Sequence, residues 1–352
     1  AEIDNKIKLD QVINRCKNVG LEIAFICTTR KGYHFYFANK IWNATRYVLI
    51  NTPEDFIARV PYMAPLRAED KWIITKLNET AEVVNKALYE YQYSQAAHAI
   101  YEFFWSDYCD WYIEFTKERI YKKAPEDNEE LKTKVENERT TAIYTLLYVL
   151  EKALRILHPF MPYITEELWH RLPNTEGESI SLTEFPEKNE EEIYEEDKEK
   201  IERLREIITR IRSLRSDLQI KPNIKVKASF KTDSEFSKKV IEEFKEHILN
   251  LAKLESFEEV DKRPDGTVAT FSRDTEIFLH IEGHVDLEKL IESYEKKREK
   301  ILKELERVNK KLSKEDFLKK APVHVVEKEK QIKEELENDL NKLEGILKVL
   351  KG

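Results

Sequence analysis

The chain has 352 residues, 41% of them hydrophobic and 36% charged, with a formal net charge of −8 and only 7 glycines. That length and apolar fraction suffice for a sizeable core over two or three domains, while few glycines and dominant Glu and Lys exclude a glycine-rich doubly wound sheet and indicate a mostly α protein. The acidic balance argues against a general polyanion binder, yet Lys296 to Lys320 holds eleven Lys or Arg against five Asp or Glu, so a basic end exists within an acidic whole.

Residues 1 to 36 mix strand-like LEIAFIC with basic TTRKG and read as a connector. The longest apolar run there, Leu21 to Cys27, is interrupted by Glu22 and is too short to span a bilayer, and no signal pattern precedes it. Cys16, Cys27 and Cys109 are too widely spaced for a disulfide framework or a CxxC metal site, which fits a soluble protein of a reducing cytoplasm. A helix starting near Phe37 places Phe37, Ile41, Ala44, Tyr47 and Val48 on one face, with Lys40, Asn43 and Arg46 on the other, and Thr52-Pro53 breaks it. Glu69 to Tyr91 is amphipathic through Trp72, Ile73, Leu77, Val84 and Leu88, and Ser94 is the expected N-cap of the next helix.

That next helix carries Tyr101 to Lys117, YEFFWSDYCDWYIEFTK. Ile100, Phe104, Tyr108, Trp111 and Phe115 form an apolar stripe at helical spacing, widened by Tyr101, Trp105 and Tyr112. A stripe so wide has to meet two neighbours, as the central element of a bundle does. A loop around 124–128 ends it. Thr140 to Leu157 is the next amphipathic helix, terminated by His158-Pro159, and Thr165 is expected to cap a short helix with Glu166 and Glu167 in its first turn. Lys198 to Leu218 buries Ile201, Leu204, Ile207, Ile208, Ile211, Leu214 and Leu218, following an acidic stretch, 190–196, that reads as a solvated linker.

Beyond Pro222 the period becomes two, with Ile224, Val226 and Ala228 inward and Lys225, Lys227 and Ser229 outward. A helix through Val240, Phe244 and Ile248 and strands at 256–260, 267–272 and 276–281, with a turn at Asp265-Gly266, complete a small α+β unit. From Leu287 the apolar positions step by fours and threes through Ile291, Tyr294, Arg298, Ile301, Leu305, Val308 and Leu312, and again from Leu336 to Leu350 after a break at 313–322. Two such helices make an antiparallel hairpin arm about 40 Å long.

Tyr101 to Lys117 resembles the aromatic central helix of the anticodon-binding domain of valyl-tRNA synthetase, a class I aminoacyl-tRNA synthetase. FANKIWNATRYVLIN (37–51), HPFMPYITEELW (158–169), IRSLRSDLQIKP (211–222), LAKLES (251–256) and FLKKAPVHVV (317–326) follow in the family's order. The resemblance runs from about Phe37 to the end. It implies a mainly α fold: an antiparallel helical bundle of the class I synthetase anticodon-binding type over 37–218, a small α+β connector over 219–284 and a coiled-coil tRNA-binding arm over 285–352. Isoleucyl-tRNA synthetase is the nearest relative to separate, and its bacterial forms often end in a cysteine-ligated zinc element with no counterpart here.

The family's chemistry rests on a HIGH-type histidine pair and a KMSKS-type lysine loop. No HIGH sequence occurs, and Lys311-Leu312-Ser313-Lys314-Glu315 stands at the turn of the arm with no nucleotide-binding sheet before it, so no catalytic residue is expected. His280 and His284 are read as strand or turn histidines, not metal ligands. No cofactor is expected in this chain, ATP belonging to the complete enzyme, whose catalytic domain would be a partner. Asn39, Lys40, Trp42, Asn43 and Arg46, with Arg212 and Arg215 on a later helix, are candidates for anticodon contact, because unpaired bases are read by stacking and by bonds to their edges. Core packing of Trp42 and ion pairing of the arginines are the competing readings. Lys303, Arg307, Lys310, Lys311, Lys314, Lys319 and Lys320 are candidates for the tRNA body, and solvation of a lysine-rich surface is the alternative. A rival overall is an interaction protein that keeps the bundle without binding tRNA.

Overall fold

The computed structural model describes residues 33–54, 56, 64–125, 127–173, 175, 177–281, 283, 285–313 and 323–351. The chain divides into two units, 1–201 and 202–352. The first is built from α1 (Tyr33–Asn51), α2 (Ala68–Tyr89), α3 (Tyr93–Glu102), a π-helical segment (Phe103–Tyr112), α4 (Ile113–Tyr121), α5 (Glu129–Leu157) and α6 (Pro162–Trp169), and α7 (Glu195–Asp217) carries the chain into the second.

The aromatic stretch is helical as expected, but ten of its residues close i→i+5 bonds. Such a helix turns less per residue than an α-helix, so Phe103 and Tyr112, flank positions at 3.6 spacing, come onto the buried face beside Phe104, Tyr108 and Trp111. Tyr108 donates its phenol to the Leu146 carbonyl of α5 at 2.9 Å, which satisfies the polar end of a fully buried ring. Tyr112 donates to Asp70 Oδ1 at 2.7 Å, and Arg119 holds both oxygens of that carboxylate at 2.8 and 2.5 Å. Asp70 also accepts the Arg67 amide at 3.0 Å, capping α2.

Several helix starts differ from the sequence expectations. α5 begins eleven residues before Thr140, at Glu129, where the Asn128 side chain accepts the Leu131 amide at 2.9 Å. Its early turns are mostly polar, so they carry no apolar stripe to read. The N-cap of α3 is Gln92, with Ser94 inside the first turn. Pro162 opens α6, where its missing amide is no loss, and Thr165 lies within the helix, its hydroxyl donating to the Met161 carbonyl at 2.9 Å. The acidic stretch is also more than a solvated linker. Glu192 accepts from Tyr148 and Asn78, the Tyr194 amide donates to Thr75, and Asp197 pairs with Lys71 at 3.0 Å.

In the second unit, β1 (Val226–Thr232), α8 (Glu235–Glu243), α9 (Lys245–Leu251), β2 (Leu254–Glu259), β3 (Thr267–Ser272) and β4 (Thr275–His280) form a four-stranded sheet of order β2-β1-β4-β3. β1 is parallel to β2, so the connection needs a crossover, and α8 and α9 supply it in place of the single helix expected. Ser229, expected outward, is buried, its hydroxyl 2.9 Å from His280 Nε2. The arm helices α10 (Leu287–Leu312) and α11 (Val323–Lys351) run antiparallel, as cross-pairs Arg298–Glu344, Lys311–Glu329 and Lys351–Glu295 show. The turn between them lies outside the described residues. Among those described, no helix is long and apolar enough to cross a membrane.

The Asp70 cluster has a consequence for stability. Glu69 is 2% exposed, 3.4 Å from Arg119, and its Oε1 accepts no hydrogen bond among the described residues. One guanidinium cannot compensate two buried carboxylates, and burial pushes the Glu69 carboxyl from 4.5 up to about 7. A raised folded value means the native state holds the extra proton: the stabilisation is complete below 4.5 and is lost as pH rises through 7. Glu69→Gln removes the titration. Wild type should therefore lose on the order of 2 to 3 kcal/mol more than Glu69→Gln between pH 4.5 and 8. Urea unfolding followed by tryptophan fluorescence checks this, because Trp42, Trp72, Trp105, Trp111 and Trp169 all lie in the first unit; parallel pH profiles would refute it.

Candidate nucleic-acid interface

On α1, Asn39, Asn43, Arg46 and Ile50 recur at intervals of four, three and four residues and share one face. Asn43 and Arg46 are exposed, Asn39 is half-buried and Ile50 is 69% exposed. Phe37, Ile41, Ala44 and Val48 are buried and hold the opposite face in the core. Trp42 goes with the core: it is 8% exposed and the Arg171 guanidinium lies 5.3 Å from its ring centre, so the ring offers no face for a base. Lys40 is turned aside as well. Its ammonium meets Asp110 at 2.7 Å and the Trp105 carbonyl at 3.2 Å, and lies 3.5 Å above the Trp105 ring. Of the five α1 candidates, Asn39, Asn43 and Arg46 remain as a surface group, and Ile50 joins them although nothing in its type marked it out.

The two arginines of α7 separate. Arg215 is 6% exposed and donates to the carbonyls of Lys253 at 3.1 Å, Ile224 at 2.6 Å and Lys221 at 3.4 Å. With carbonyls around it, burial lowers its pKa from the ordinary arginine value. Its guanidinium braces the connection into β1, and neither the phosphate contact nor the surface ion pair expected of it is what it makes. Arg212 is exposed and uses Nε on the Leu251 carbonyl at 2.9 Å. Sequence reading missed Arg203 altogether: buried, it reaches Ser237, Ser272, Asp274 and Thr275 and ties α7 to the β3–β4 turn.

The arm carries a basic stripe. Lys289, Lys296, Lys300, Lys303, Arg307 and Lys310 lie on the solvent side of α10, stepping by seven and then by alternating fours and threes, two residues out of phase with the buried seam of Tyr294 and Val308. From Lys289 to Lys310 the stripe extends about 30 Å at 1.5 Å per residue. Four of its members have local carboxylate partners: Lys289 pairs with the N-cap Asp286 at 2.6 Å, and within the helix Lys296 pairs with Glu292 at 2.6 Å, Lys303 with Glu299 at 2.7 Å and Arg307 with Glu304 at 2.8 Å. Such exposed pairs are worth little. Lys311 instead reaches across to Glu329, so it belongs to the hairpin's own pairing. Lys314, Lys319 and Lys320 lie outside the described residues, as does His284. The expectation of a basic tip missed Lys289, Lys296 and Lys300, which the seven-residue repeat would have revealed.

Among the described residues no group of three or more His, Cys, Asp or Glu gathers as a metal ion requires. A cavity of about 280 Å³ opens beside α5 and α6, walled by Tyr144, Tyr148 and Trp169. Among the described residues its carboxylate is Glu151, which accepts from Trp169 Nε1 at 2.9 Å and Arg155 at 2.7 Å and so is internally paired.

Residues 70–230 match the family model described as the anticodon-binding domain of tRNA ligase, and residues 286–351 match that of the valyl tRNA synthetase tRNA binding arm. The chain is 84% identical to a valine–tRNA ligase of Aquifex aeolicus, over 92% of this chain and 28% of that protein. It is 37% identical to that of Fervidobacterium nodosum, over 96% of this chain and 36% of the relative, and 39% identical to that of Thermotoga maritima, over 89% and 34%. The chain spans about a third of the length of these curated relatives.

Proposed function

This chain belongs to the valine–tRNA ligase family and carries its anticodon-binding domain and tRNA-binding arm, and from that premise we propose that it grips tRNA by two separate means. The observation that carries the proposal is the basic stripe of α10. Six cations at helical spacing along about 30 Å suit a run of phosphates, which supply affinity without regard to sequence. The face of Asn39, Asn43 and Arg46 is of the other kind. Amide side chains offer donors and acceptors to base edges, a guanidinium offers a plane on which an unpaired base stacks, and exposed Ile50 extends that contact surface.

In this reading the complete enzyme joins valine to its tRNA using ATP in the cytoplasm. ATP and catalysis belong to a catalytic domain that would be this chain's partner, and this chain holds no cofactor of its own. The match to a valyl arm favours the valyl over the isoleucyl enzyme. An interaction protein without tRNA binding is the reading this one displaces.

Purified alone, the chain should give no valine-dependent exchange of pyrophosphate into ATP, and exchange above background would refute the division of labour. Reversing Lys300, Lys303, Arg307 and Lys310 to Glu should weaken every tRNA alike. It should also flatten the slope of log affinity against log salt by about 3 to 4 units, at a little under one per phosphate contact. Helicity by circular dichroism should hold, because all four positions face solvent. A folded variant that keeps its affinity and slope would show that the arm serves another purpose. Asn43→Ala should relax preference at one anticodon base by roughly 1 to 3 kcal/mol, read from the affinities of tRNAs differing at that base.

A further inference from the structure

Lys40 sits between Asn39 and Asn43 in sequence, yet its charge is directed away from their face. An ammonium has three N–H donors. One meets the Asp110 carboxylate at 2.7 Å, one meets the Trp105 carbonyl at 3.2 Å, and the nitrogen stands 3.5 Å over the Trp105 ring, where the aromatic quadrupole takes the remaining charge. Nothing is left for a phosphate.

The two polar partners are five residues apart, the interval at which a π-helix brings successive turns into line. Carbonyl 105 and side chain 110 are thus presented together because this stretch is π and not α. The Trp105 ring in turn stacks on Tyr101 at 5.6 Å and lies 6.4 Å from Phe37 of α1, while Phe37 and Tyr101 approach to 4.8 Å. Lys40 closes this aromatic pile at its edge. As a source of stability the contact is small, since the side chains of Lys40 and Asp110 are 20% and 54% exposed and such pairs contribute little. What it fixes is position.

Resting on the reading of α1 as the anticodon face, we propose that Lys40 is a positioning residue, which ties α1 to the π-helical segment through Asp110 and Trp105 and so sets how Asn39, Asn43 and Arg46 meet the anticodon loop. Asp110 and Trp105 share that role, and the π-helical geometry supplies the paired acceptors.

The test compares wild type, Lys40→Met, Lys40→Arg, Asp110→Asn and Asn43→Ala as full chains. Binding is measured to a valine-accepting tRNA transcript and to variants at single anticodon bases, over a series of salt concentrations, with thermal melts to establish folding. Lys40→Met and Asp110→Asn should each reduce discrimination between anticodons by roughly fivefold or more, the lower end of what one base contact supplies, with the salt slope unchanged. Lys40→Arg, which keeps the charge for Asp110 and the ring, should retain discrimination. If Lys40 instead touches phosphate, Lys40→Met weakens all transcripts alike and flattens the slope by about one unit, while Asp110→Asn frees the ammonium and strengthens binding. That opposite response of the two variants overturns the proposal. So does a ratio unmoved in both while Asn43→Ala shifts it, which leaves the anticodon face standing. Absence of any anticodon preference in wild type removes the face itself and the positioning role with it.

Discussion

The bidentate contact between Arg119 and Asp70 is the constraint from which the first unit is built. Both side chains are at most 2% exposed, and Asp70 serves three partners at once: the guanidinium of α4, the Tyr112 phenol at the end of the π-helical segment and the Arg67 amide at the start of α2. A buried pair of this sort gains little over an apolar replacement, but losing one partner costs about 3 to 5 kcal/mol because the other is left charged in a dry core. Its value is therefore in specification. Only one relative placement of α2, the π segment and α4 lets all three donors reach one carboxylate, and that placement fixes where Asp110 and Trp105 emerge beside α1.

The same device recurs in the second unit with carbonyls and hydroxyls as acceptors. Arg203 and Arg215 are buried twelve residues apart on one helix and reach a sheet whose own hydrogen bonds say nothing about where α7 should lie. Each guanidinium presents five donors in a fixed fork, enough to hold a strand turn or a loop by its backbone. Arginine in this chain is thus of two kinds: that which the fold consumes, as at 119, 203 and 215, and that which stays at the surface, as at 46 and 307.

That distinction marks the limit of what the sequence discloses. The helical bundle, the α+β unit and the hairpin follow from periodicity, since apolar residues at intervals of three and four, or of two, have only one face to bury. The π-helical stretch does not follow, because its stripe also fits a 3.6 period, and the choice rests on Phe103 and Tyr112 finding room in the core. The early turns of α5 escape because an exposed helix carries no apolar pattern, and Thr165 and Ser94 mislead because a residue fit to cap also bonds back to its own helix, as Thr165 does. Among the candidate site residues, Lys40, Trp42 and Arg215 have the right type in the right place, but Lys40 meets partners 65 and 70 residues away, Trp42 lies under Arg171 from the turn after α6, and Arg215 bonds to backbone carbonyls, one of them 38 residues away, which no side-chain pattern reports.

The residues that survive this sorting differ in chemistry in a way that matters for recognition. The face of α1 keeps Arg46 as its one outward cation beside two amides and an isoleucine, too little charge to attract a polyanion but the right groups to question a base. The stripe of α10 is the reverse, six cations and no hydrogen-bond acceptor among them. Phosphate contacts hold and orient a nucleic acid while base contacts choose it, and a surface that did both would let nonspecific affinity mask the choice. In the proposed division, separating them would keep discrimination sensitive to a single base: a contribution of the arm common to every tRNA would cancel in the ratio and leave the choice to the weakly charged face.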